Sequence, residues 1–149
     1  MNTNREFTCF IFGAIGSAVT YLFGGWSEGM ATLVTLMAID YITGLLVAGI
    51  FKKSSKTTGG GLNSNVGFKG LVKKFVVLMV VASMYRLDVL LDVDYLMNLS
   101  VLGFALNELI SITENAGLMG IPLPHAVTKA IELLNTKALG EEEGEKNEN

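Results

Sequence analysis

The chain has 149 residues, half of them apolar, with a mean hydropathy of +0.48 and a formal net charge of −3. Charged residues make up 17% of it, below the roughly one quarter of an ordinary soluble domain, and five of the fourteen acids fall in the last nine residues. One cysteine (Cys9) and one histidine (His125) exclude an internal disulfide, most thiolate metal sites and a histidine-based metal cluster.

The first predicted element runs from Phe7 to about Phe23 and belongs to a charge-free stretch, 7–25. It is read as a first membrane span, since no A-x-A cleavage site follows to make it a signal peptide. Gly13 and Ser17, and Gly16, Thr20 and Gly24, lie at small-xxx-small spacing. GGWSEGM (24–30) is a short turn whose Trp suits the membrane–water boundary.

The second span, Gly29 to Phe51, carries one charge, Asp40, at its midpoint. As a helix it is about 34 Å long, enough to cross a hydrocarbon core of about 30 Å. A carboxylate at that depth costs roughly 3 kcal/mol on insertion scales and faces a partner helix or water rather than lipid. Asp40 therefore has two readings: a pore-facing acid, or a hydrogen bond to a neighbouring helix. Tyr41 follows it, and Gly44 and Ala48 on the same side let another helix approach closely.

Residues 52–70, KKSSKTTGGGLNSNVGFKG, read as a flexible Gly/Ser-rich loop. GGG at 59–61 is not a phosphate loop, for it lacks the Lys-Ser/Thr end of that motif. Lys52, Lys53, Lys56, Lys69, Lys73 and Lys74 are six of the eleven basic residues, and the turns at 24–30 and 92–95 have none. Positive charge marks the cytoplasmic side, so these lysines are assigned to topology and lipid contact. With no aromatic interleaving and no Arg, no nucleic-acid partner is expected.

The third span is placed at about 70–91, with Arg86 and Asp88 marking its approach to the interface. DVDY (92–95) is a turn. The fourth helix, about 95–112, is the weakest span: Ser100, Gly103, Asn107, Glu108, Ser111, Glu114 and Asn115 share one side. It either spans with that side inward or lies along the interface, and four spans are preferred to three. GIPLP (120–124) then breaks the chain, Pro124 opens an amphipathic helix, and EEEGEKNEN should be disordered.

The expected architecture is all-α: three to four transmembrane helices within 1–118, a C-terminal amphipathic helix over 119–139 and a disordered acidic tail over 140–149. No G-x-S-x-G occurs, and Glu108 and Glu114 flank a polar helix face instead of converging on it, so no enzymatic activity, cofactor or metal is expected. Pore or helix-packing candidates are Asp40, Tyr41, Gly44, Ala48, Asn107, Glu108, Ser111, Glu114 and Asn115.

IDYITG (39–44), NVGFKG (65–70) with Lys73-Lys74, Asn107-Glu108 with Ile110-Ser111-Ile112, Glu114-Asn115-Ala116 and GIPLP occur in an order and spacing that resemble the toxin-secretion/phage-lysis holin family. The resemblance covers roughly residues 30–135. It carries over Asp40, Tyr41, Gly44, Gly67, Lys69, Gly70, Glu108, Glu114, Asn115, Gly120, Pro122 and Pro124, none with an established catalytic role. It implies a small phage protein of the bacterial inner membrane that oligomerises late in infection. The lesions it opens pass a cell-wall hydrolase or, in some relatives, a toxin; an anti-holin is a further implied partner. The acidic tail departs from the basic tail many holins carry. Two other readings fit the residues: a small channel or transporter subunit with Asp40 as a cation or proton site, and an anti-holin or membrane scaffold.

Overall fold

The computed structural model describes residues 3–130 and 133. All regular structure in them is helical: α1 Thr3–Phe23, α2 Glu28–Leu46 continued by a π-helical turn Val47–Phe51, α3 Ser64–Leu91 and α4 Leu96–Leu118. Residues 125–130 start a further helical segment at Pro124, whose carbonyl accepts from the N–H groups of Val127 and Thr128. Most of the expected amphipathic helix beyond 130 and all of the acidic tail lie outside the described residues.

The helix ends are set locally. Ser27 caps α2 by accepting from the Met30 N–H, and Asn63 caps α3 by accepting from Asn65 and Val66. That second cap starts α3 at Ser64, so NVGFKG is helical and the connecting loop shrinks to 52–63. The loop is also hydrogen-bonded rather than a plain tether: Ser54 N–H reaches the Gly60 carbonyl, and Thr57 Oγ1 donates to the Gly61 carbonyl at 2.7 Å. Gly60 has φ +73, and a Cβ there would fall 2.1 Å from the Lys52 carbonyl oxygen, so only glycine fits.

The helices run alternately up and down. Gly29 beside Val101 and Gly44 beside Asn115 show that α2 and α4 are parallel, and theirs is the most extensive contact. α3 runs the other way between the same partners, with its last turns against the end of α1. There Tyr85 crosses Gly24, and the Arg86 guanidinium sits 4.5 Å from the centroid of the Tyr21 ring.

The core lies toward the two short turns. Met30, Leu33 and Met37 of α2 meet Val81 of α3 and Met97 and Val101 of α4, with Leu33 and Val81 fully buried. The spacing explains it. Met30, Leu33, Met37, Asp40, Gly44 and Val47 repeat every three then four residues on α2, as do Met97, Val101, Phe104, Glu108, Ser111 and Asn115 on α4. Each seam is apolar in its first half; the second half brings in Asp40 on α2 and Glu108, Ser111 and Asn115 on α4.

Elsewhere the surface is apolar: Phe7, Phe10, Phe12, Ile15 and Tyr21 of α1 are exposed, as are Ile42, Ile50 and Phe75. Three segments are long and apolar enough to cross a membrane: Arg5–Phe23, Glu28–Phe51 and Leu96–Leu118. The weak member of the expected four is therefore α3, not α4. It is the longest helix, at 28 residues, but Lys69, Lys73, Lys74, Arg86 and Asp88 confine its uncharged run to Phe75–Tyr85. α4 qualifies because it carries only Glu108 and Glu114.

Candidate functional site

Halfway along the bundle the two seams bring carboxylates inward, and α3 supplies a cation. Lys74 Nζ lies 2.8 Å from Asp40 Oδ2 and 2.5 Å from Glu108 Oε2. The three side chains are 15%, 14% and 9% exposed. Asn115 Nδ2 donates to Asp40 Oδ1 at 3.1 Å and to Thr43 Oγ1 at 3.0 Å, while Thr43 Oγ1 donates back to the Asp40 carbonyl. Asp40 is thus held from α3 and α4 together. Among the described residues no buried side-chain nitrogen or oxygen lacks a hydrogen-bond partner.

Asp40 lies twelve residues after Glu28 and eleven before Phe51, about 16–18 Å from either end of its helix. An isolated charge at such depth is costly; a paired and hydrogen-bonded one is tolerated. Lys74 supplies the partner charge that Asp40 lacks within its own apolar span. Two carboxylates share one ammonium, so with all three ionised the cluster carries one negative charge.

A cavity of about 560 Å³ stands between the cluster and the loop, walled by α2, α3 and α4. Asp40, Tyr41, Gly44, Ala48, Asn107, Glu108, Ser111 and Asn115 all line it, as do Lys56, Lys73 and Lys74. The structure therefore gathers every packing candidate but Glu114, which is exposed. The expected polar side of α4 splits: Glu108, Ser111 and Asn115 turn inward, while Gly103 and Glu114 are exposed. Gly44 faces the Asn115 amide, and Gly67 and Gly70 face the Tyr41 ring. Lys53 and Lys69 are exposed and away from the cavity, and Lys52 ends the π turn in a left-handed conformation (φ 52). Gly120 follows α4 with φ +83, its N–H on the Gly117 carbonyl and that of Ile121 on Ala116, and Pro122 and Pro124 come after this stop.

Two polar residues have roles that the sequence reading does not assign. Lys74 is grouped there with the loop lysines, yet among the described residues it is the one lysine in a salt bridge. The signal for it is the pair of seams: two acids at core positions of charge-poor helices need a cation, and Lys74 is the lysine nearest the apolar run of α3. Asp88, read as marking the interface, is 5% exposed. Its carboxylate accepts from the Leu96 and Met97 N–H groups at 2.9 and 2.8 Å, capping α4 in place of Tyr95, whose side chain makes no cap.

Comparison with known proteins comes to the same place. Residues 17–136 match the Bacteriophage holin family. An uncharacterised protein of Halalkalibacterium halodurans is 38% identical over 126 residues, covering 80% of this chain and 87% of its own length. An uncharacterised 14.9 kDa protein in the nagH 3′ region of Clostridium perfringens is 33% identical over 83% of this chain and 89% of its own. A probable holin of Bacillus phage phi105 is 29% identical over 84% and 87%. No solved structure matches. With four-fifths of its length in that match, and with apolar helices closing over a buried charge cluster, the chain belongs to the bacteriophage holin family, a group of non-enzymatic membrane proteins.

Proposed function

We propose that the protein acts as a holin: it assembles with copies of itself in the bacterial inner membrane and opens lesions through which a cell-wall hydrolase, or a toxin, leaves the cell. The observation that carries this reading is the Asp40–Lys74–Glu108 cluster, closed inside helices that otherwise show apolar surface. Such a unit is lipid-soluble while compact. Once its helices part, it has charged surface that only water or another protein copy can satisfy. In this reading α3 crosses the bilayer with its partners, the 52–63 loop faces the cytoplasm with its lysines on anionic headgroups, and an anti-holin can oppose assembly.

The test is controlled expression in a bacterium, with and without a coexpressed cytosolic hydrolase, following optical density, membrane potential and release of a cytosolic marker protein. Normal growth, then abrupt depolarisation with hydrolase-dependent lysis, is expected. Depolarisation without protein release would replace the holin with a narrow channel. Continued growth at an intact potential, with insertion verified, would replace it with an anti-holin or scaffold. At equal expression Asp40→Ala should shift the time of lysis, and an unchanged time would remove Asp40 from the process.

A further inference from the structure

The cavity and the core divide the bundle into an open half and a shut half. On the loop side the cavity reaches the exposed residues Ser55, Lys56 and Asn63. Its floor is the charge cluster at mid-length. Beyond the floor, Met30, Leu33, Met37, Val81, Met97 and Val101 fill the space between the same three helices with exposures of 8% or less and no polar side chain among them.

We propose that this cavity is a water-filled half-channel, entered from the loop side, ending at Asp40, Lys74 and Glu108, and sealed toward the short turns by the six apolar side chains. Three reasons support it. Carboxylates and ammonium groups at mid-bilayer depth are retained where a water-filled recess reaches them. The lining sets Asp40 and Glu108 against Lys56, Lys73 and Lys74, five charged groups that water solvates and lipid does not. The seal is continuous, since Leu33 and Val81, on different helices, have no accessible surface. The inference concerns the closed protein and does not depend on lesion formation.

Cysteine accessibility tests it in the full chain, inserted in bacterial membrane at low expression and with Cys9, which is exposed, replaced by Ser. Single cysteines are placed at Ser55 in the loop, at Ser111 and Ala48 in the cavity, and at Val81 in the seal. Each is offered membrane-impermeant methanethiosulfonates, a cationic and an anionic one in parallel, from one face of the membrane, then from the other. Denaturation in detergent afterwards verifies that every thiol can react. The expected result is that Ser111→Cys and Ala48→Cys react from the face that modifies Ser55→Cys and lose labelling from the opposite face, while Val81→Cys reacts from neither. Two cavity positions are used so that a misfolded variant at one leaves the other decisive. No labelling of either cavity cysteine, with Ser55→Cys reactive, would show that lipid or packed protein fills the cavity and would overturn the proposal. Labelling of Val81→Cys, or of the cavity from both faces, would overturn the seal.

Discussion

Toward the short turns, α2, α3 and α4 meet through Met30, Leu33, Val81 and Val101; toward the loop, the same helices meet through Asp40, Lys74 and Glu108. The register does not change between the two halves, because one seam on α2 and one on α4 run through both. What changes is how far each half tolerates separation. In a bilayer, apolar side chains lose dispersion contacts when helices part but find lipid in exchange. Charged side chains find nothing comparable. The loop half therefore holds the bundle by a few specific contacts that must be kept or replaced together, and the turn half by many that fail gradually.

Substitutions that set the halves against each other sharpen this contrast. The largest effect is expected from Lys74→Ala, which leaves two buried carboxylates facing each other: a loss of about 3–5 kcal/mol, read by unfolding in a detergent titration. The neutral triple variant Asp40→Asn, Glu108→Gln, Lys74→Met should recover most of that loss. If the triple variant is no more stable than Lys74→Ala, the damage is lost packing and the contrast fails. In the turn half, Leu33→Ala should cost about 2 kcal/mol, the low end for a buried leucine, because a helix in lipid forfeits packing but little transfer free energy. Asp88→Asn removes the charge that caps α4 and should cost about 1 kcal/mol by the same titration, with the helix content by circular dichroism nearly unchanged. The smallest change is a gain. Asp92 ends α3 in a left-handed conformation (φ 55), and Asp92→Gly should stabilise by up to about 1 kcal/mol; a loss would mean that its side chain matters more than its backbone.

Much of this fold is legible from hydropathy and helical spacing. The charge-free stretch 7–25 gives α1, the run around Asp40 gives α2, and Ser27 and Asp92 stand at turns that the structure keeps. Spacing on α4 singles out Glu108, Ser111 and Asn115, which the structure brings to one cavity with Asp40. Two things are harder to read. The Asn63 cap is hidden in a Gly/Ser-rich stretch whose composition says loop, so α3 starts earlier than expected. Lys74 follows Lys73 in a cluster whose bulk charge signals topology, and one residue of difference turns a side chain by about 100° around a helix. Lys74 is thereby paired with both acids, while Lys73 has an exposed position on the cavity wall. A periodicity argument resolves that difference only after the partner seams are known.

The unequal joints on either side of α3 bear on biogenesis. Its link to α4 is a four-residue turn clasped by Asp88; its link to α2 is a twelve-residue loop. In the proposed topology α3 alone is a poor client for the insertion machinery, with Lys74 at mid-depth and no counter-charge in its own sequence nearby. Asp40 is already in place when α3 is synthesised, and Glu108 arrives with α4 on the next stretch of chain. In that topology Asp40 supplies one counter-charge and Glu108 the other, so a ribosome paused after α3 should leave that helix less securely inserted than the complete α3–α4 hairpin.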